Sequence, residues 1–138
     1  MDKERIYIKL DEMDQYLQEI EEIMPSSPGE YSTDTMRKRA VERLIQITIE
    51  AVMDVSAILV KEMRLGLPCE EEDFLDKISG TVLSPDLVEK LREMKGFRNL
   101  LVHGYSQIHD ERVYEILTRD MKDVLEFKEE VIEFLREN

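Results

Sequence analysis

Within Gly96-Phe97-Arg98-Asn99-Leu100-Leu101-Val102-His103-Gly104-Tyr105, an arginine, an asparagine, a histidine and a tyrosine crowd the end of a strongly apolar stretch. Arginine is permanently charged and grips phosphate oxygens with a planar fork of N–H donors. Histidine titrates near neutrality and can move a proton during a reaction. The pair suits phosphodiester cleavage in which a ribose 2′-hydroxyl attacks its own phosphate. Histidine would remove or return the proton while arginine stabilises the developing charge. Such a reaction needs RNA, because DNA lacks that hydroxyl, and it calls for no metal or other cofactor.

Helical geometry constrains this cluster. Asn99 and His103 are four residues apart, about 40° around a helix, so their side chains can touch. Arg98 and His103 are five apart, about 140° around the same helix. Three arrangements resolve the difference: arginine's length spans it, the helix ends at Gly104, or the two partners come from different chains. A plainer reading stands beside these. A histidine at a helix end also serves as a partner of the helix dipole, and Tyr105 also fits as a half-buried aromatic.

The pattern Arg98-Asn99-x-x-x-His103-x-Tyr105, late in a chain of this size, resembles the R-x4-H-x-Y signature of HEPN-superfamily ribonuclease toxins of the HepT type. The similarity extends to Arg39-Ala40-Val41-Glu42-Arg43-Leu44-Ile45-Gln46-Ile47 with Glu50-Ala51 and Asp54. It continues in Met94-Lys95-Gly96-Phe97 and in Val113-Tyr114, and it covers roughly residues 1 to 135. The resemblance implies a four- to five-helix bundle forming a two-fold homodimer. In such a dimer the arginine and histidine of both subunits meet in an interface cleft and cut RNA without metal. It also implies a partner, a minimal nucleotidyltransferase antitoxin that transfers AMP from ATP onto the motif tyrosine. Carried over, Arg98 and His103 are catalytic, Asn99 is supporting and Tyr105 is the adenylylated residue. A bulky anion on Tyr105 would sit where the RNA phosphate must bind.

Further residues have two readings each. Glu50 and Asp54, four apart on the second long helix, either orient Arg98 or belong to a solvated face. The run Arg37, Lys38, Arg39 and Arg43 either extends an RNA groove or forms surface ion pairs. His109 lies in a polar segment beside Asp110, and Cys69 follows Pro68 in a loop; neither is assigned a role.

These residues need elements to hold them, and the chain is built for helices. It has 138 residues, 42% hydrophobic and 37% charged, with only five glycines, four prolines and no tryptophan. Ile6, Leu10, Met13, Leu17, Ile20 and Met24 keep helical spacing, after which Pro25-Ser26-Ser27-Pro28-Gly29 reads as a turn. A second helix runs from about Asp34 to Met63, capped by Ser32 or Thr33, with Met36, Ala40, Leu44, Ile47, Ala51, Val55, Ile58 and Leu59 as its stripe. A short piece spans Glu70 to Ile78. Ser84-Pro85-Asp86 is a sharp start signal for the helix that carries the motif. The last helix begins near Asp110, with Val113, Leu117, Met121, Val124, Val131 and Leu135 as its seam. No stretch alternates at period two long enough for a sheet. The fold expected is therefore all-α, an antiparallel bundle in one domain over residues 1–138.

Composition narrows the function. Nineteen Lys and Arg against 32 Asp and Glu give a net charge of −13. That excludes a surface attractive everywhere to nucleic acid or anionic lipid, while leaving room for one focused cationic cleft. One cysteine forms no internal disulfide or cysteine zinc site, and no apolar stretch approaches a membrane span. The expectation is a cytoplasmic protein with an RNA substrate and no DNA or membrane partner. Two rival readings remain: a non-catalytic HEPN module binding a nucleotide or a nucleotidyltransferase, and a purely structural dimerising bundle.

Overall fold

A computed structural model describes residues 1–66, 71–103 and 110–138. Helices follow in the order α1 Lys3–Ile23, α2 Pro28–Thr33, α3 Thr35–Glu62, α4 Glu71–Ile78, α5 Pro85–His103 and α6 Asp110–Glu137. Four are long and two are short, matching the all-α expectation. α3 is the hub: it packs against all five other helices, and α6 closes the bundle against α1, α2, α3 and α5.

α1 buries the stripe read from its sequence, with Ile6, Leu10, Met13, Leu17 and Ile20 at 5% exposure or less. The Asp2 side chain caps its start by accepting from the Arg5 amide. Its other end is closed from outside the helix. Arg37 Nε donates to the Ile23 carbonyl at 2.8 Å and Nη2 donates to Met24 O at 3.4 Å. A cation at the helix C-terminus satisfies carbonyls that have no intrahelical donor.

The segment expected to be a turn is in part a helix. Ser27 Oγ accepts from the Glu30 amide, Pro28 takes the first helical position, and Glu30 accepts from Ser26 N and Oγ at 3.1 and 2.8 Å. Those bonds hold the exposed Glu30 carboxyl below its ordinary pKa. Serine, proline and glutamate at this spacing form a start signal of their own. Consequently neither Ser32 nor Thr33 caps α3; Asp34 does, its carboxylate accepting from the Arg37 amide at 3.1 Å.

The stripe expected for α3 is also displaced in its first half. Met36 is 85% exposed and Ala40 is exposed, whereas Val41, Ile45, Thr48, Ile49 and Val52 face inward. The inward row lies one residue on, a rotation of about 100°. The two rows merge from Ala51 onward because that half of α3 is buried nearly all round. The buried hydroxyls of Thr48 and Ser56 donate to the Leu44 and Val52 carbonyls one turn earlier, so neither is left unpaired.

α3 ends in a left-handed residue, Arg64, at φ 55°. Leu65 N reaches back to Val60 O at 3.0 Å, the six-to-one bond of a Schellman turn. Lys77 of α4 donates to Leu65 O at 3.0 Å and ties α4 to this corner. Lys3 Nζ donates to Leu135 O at 2.8 Å, joining α1 to α6.

Candidate functional site

The helix carrying the motif is fixed at its start by α6. Ser84 Oγ accepts from the Leu87 amide, as an N-cap should. Ser84 N and Oγ both donate to the Glu130 carboxylate, at 2.7 and 3.3 Å. Leu87, Val88, Leu91, Met94, Phe97 and Leu101 then form the buried face of α5. That face leaves Arg98 and Asn99 on the rim. Arg98 is half-buried and its Nη2 donates to Asn99 Oδ1 at 3.1 Å. Asn99 is exposed, Leu100 is 44% exposed and Val102 53% exposed. A Cβ added at Gly96 would meet nothing within 4 Å. Gly96, Asn99 and Leu100 therefore make one open face, one turn apart.

α5 remains helical through His103, so about 140° of helix separates Arg98 from it. The His103 side chain and all of Tyr105 lie outside the described residues, as do His109 and Cys69. Of the two carboxylates on α3, Glu50 is half-buried and Asp54 is exposed. α3 packs against α5, yet neither carboxylate forms a hydrogen bond or ion pair with Arg98 among the described residues. No group of three or more His, Cys, Asp or Glu that could hold a metal occurs among the described residues.

The basic run is already engaged in structure. Arg37 closes α1, Lys38 pairs with Asp110 at 2.7 Å, Arg39 pairs with Glu42 at 3.0 Å and Arg43 donates to Gln46 at 3.2 Å. Around it stands a polar cluster that sequence reasoning missed. Tyr31 is fully buried, and its hydroxyl donates to Glu42 Oε2 at 2.7 Å. Its ring lies 5.7 Å from that of Tyr114, whose hydroxyl donates to Pro25 O at 2.8 Å. Ser32 Oγ donates to the second oxygen of Asp110 at 3.1 Å. The Lys38 ammonium bonded to Asp110 holds that carboxyl below the usual carboxylate range. These partners lie up to 89 residues apart, so no local pattern announces them.

Lower on α6, Asp120 is 1% exposed and its Oδ2 has no hydrogen-bond partner among the described residues. Burial pushes its pKa up to about 7; Arg119 opposes this, and Asp123 and Glu93 add to it. Asp123 is raised too, again chiefly by burial.

The described helices form an all-α bundle with an Arg-Asn pair on the rim of α5. The chain belongs to the ribonuclease HepT-like family, whose model matches residues 13–131. A relative in Archaeoglobus fulgidus is 31% identical over 87 residues, 63% of this chain and 66% of that protein, just under two thirds of its length. A tRNA nuclease HepT of Aphanizomenon flos-aquae is 24% identical over 110 residues, 79% of this chain and 75% of its own. The tri-AMPylated HEPN toxin of Shewanella oneidensis, solved in complex with its MNT antitoxin, shares the fold with a TM-score of 0.83 at 20% identity, covering 91% of this chain and 95% of that one. No helix among the described residues is long and apolar enough to cross a membrane.

Proposed function

We propose that this protein is a metal-independent endoribonuclease, the toxin of a two-gene system, acting in the cytoplasm as a homodimer. The observation that carries the reading is the family match over residues 13–131 together with the Arg-x4-His-x-Tyr spacing at Arg98, His103 and Tyr105. The bound 2′-hydroxyl of RNA attacks the adjacent phosphorus. His103 takes or returns the proton, the 5′-oxygen leaves, and a 2′,3′-cyclic phosphate remains. Arg98 spreads its charge over the phosphoryl oxygens as they become more negative. Asn99 supports Arg98, and the 3.1 Å bond between them is consistent with that role. Glu50, half-buried on a helix packed against α5, suits an orienting carboxylate better than the exposed Asp54. A second subunit seated on the open face at Gly96, Asn99 and Leu100 would bring two motifs together across the axis, answering the 140° separation.

The relatives support a nucleotidyltransferase partner. The S. oneidensis toxin is AMPylated and bound to an MNT antitoxin. Here a nucleotidyltransferase would join the Tyr105 hydroxyl oxygen to the α-phosphorus of ATP, releasing pyrophosphate. The adenylyl group would then exclude the RNA phosphate.

The deciding experiment incubates purified, unmodified protein with total RNA in excess EDTA, beside Arg98→Ala and His103→Ala. Cutting by the wild type alone, leaving 2′,3′-cyclic ends, supports the reading. ATP or AMP binding by unmodified protein that cuts no RNA supports instead the nucleotide- or partner-binding module.

A further inference from the structure

α6 carries two apolar rows. Val124, Phe127, Val131 and Leu135 belong to the buried one. Met121, Leu125 and Ile132 form a second, centred roughly 90° further round the helix and turned away from the core. Met121 and Ile132 are half-buried and Leu125 is 44% exposed. This outer row floors a groove that runs from Met121 to Arg136 as two hollows meeting at Leu125. Its length is about four helical turns. Glu129 and Glu133 of α6 border one hollow, and Asp14 and Glu21 of α1 border the other. Lys128 pairs with Asp14 where the two helices face each other, so that charge is already answered. Glu21, Glu129 and Glu133 are exposed and make no hydrogen bond or ion pair among the described residues.

Charge selects what can cover such a groove. Its free carboxylates repel RNA phosphates and anionic lipid headgroups. A second copy, itself at a net −13, would bring the same acidic borders against these. The chemistry that fits both the floor and its borders is a helix with large apolar side chains in one row, flanked by lysine or arginine. We propose that the groove formed by α1 and the outer row of α6 docks a cationic amphipathic helix of a partner protein. Leu125 and Ile132 receive its apolar row, while Glu21, Glu129 and Glu133 meet its basic flanks. None of the lining residues belongs to α5, so docking here uses a surface separate from Arg98 and Asn99.

The probe is a labelled helical peptide of leucine and lysine, about 16 residues long to match the groove, with its leucines in one row. It is titrated against the full-length protein by fluorescence anisotropy, beside a scrambled peptide of the same composition. Hydrogen exchange by mass spectrometry reads where it sits. The amphipathic peptide is expected to bind more tightly than the scrambled one and to slow exchange in residues 121–136. Glu129→Lys with Glu133→Lys is expected to weaken binding roughly tenfold, and Leu125→Lys with Ile132→Lys by as much. Glu19→Lys with Glu62→Lys changes the net charge equally outside the groove and is expected to leave binding within about twofold of wild type. Equal binding of the scrambled peptide, equal weakening by the Glu19 and Glu62 pair, or protection confined to other helices overturns the docking site. So does a Leu125→Lys, Ile132→Lys protein that sediments as a smaller species than wild type, because copies of this chain would then cover the groove. If circular dichroism shows that variant unfolded, the exposed Glu129 and Glu133 pair decides.

Discussion

Asp120 is the least comfortable residue in the bundle, because burial opposes its charge and one of its oxygens has no partner among the described residues. Its pKa of about 7 in the folded chain stands above an unfolded value near 3.8. The folded state therefore binds the proton more tightly, and the stability this group contributes is complete below pH ~4. That contribution declines as pH rises through about 7, by on the order of 2–4 kcal/mol. Asp120→Asn is expected to remove most of this decline, measured as Tm or urea midpoint between pH 5 and 8. An unchanged pH profile would show that Asp120 titrates normally. Asp110 has the opposite sign: its lowered pKa gives stability above pH ~4 that is lost in acid. Among the motif residues, Arg98→Lys is expected to lose cleavage on the order of 10²-fold, because an ammonium does not reproduce the fork. Tyr105→Phe is expected to keep cleaving RNA in the presence of nucleotidyltransferase and ATP, since it offers no hydroxyl to modify. The Arg98, Asn99, His103 and Tyr105 pattern stands out in sequence because it spans only eight residues. Asp120 was not, since an aspartate in an acidic amphipathic helix looks solvated until α5 is laid over it.

At the scale of elements, the helices were legible wherever the apolar stripe and the cap agreed. α1 and α5 show this: Ile6 through Ile20 and Ser84-Pro85-Asp86 lie where spacing and capping chemistry put them. α2 was missed because proline and glycine around Ser26-Ser27 were read as a break, although Pro28 and Glu30 after Ser27 begin a helix. The α3 stripe went astray because Met36 and Ala40 keep helical spacing with the buried residues of its second half. An all-round buried segment is compatible with several rows, and only tertiary packing selects Val41 and Ile45. Two substitutions test the element ends. Ser84→Ala is expected to cost about 1 kcal/mol, through the lost N-cap and the lost hydroxyl bond to Glu130, read by urea denaturation. Arg64→Gly relieves a left-handed residue and is expected to stabilise by about 1 kcal/mol in the same assay. A destabilised Arg64→Gly would mean that this turn is not left-handed in solution.

For the whole molecule, charge and symmetry are linked. A dimer of this chain doubles a net charge of −13, so added salt should tighten association while loosening RNA. Cleavage is expected to fall steeply with salt once the dimer is saturated. Leu100→Asp on the open face of α5 is expected to shift sedimentation from dimer to monomer while leaving the helical circular dichroism intact. The order of the chain adds a consequence for synthesis. α6 follows the motif in the chain, and several bonds that tie the earlier helices together wait for it. Glu130 must arrive to hold Ser84, Asp110 to meet Lys38, Tyr114 to meet Pro25, and the Leu135 carbonyl to meet Lys3. A nascent chain stalled after His103 would carry the arginine and histidine without the supports that aim them.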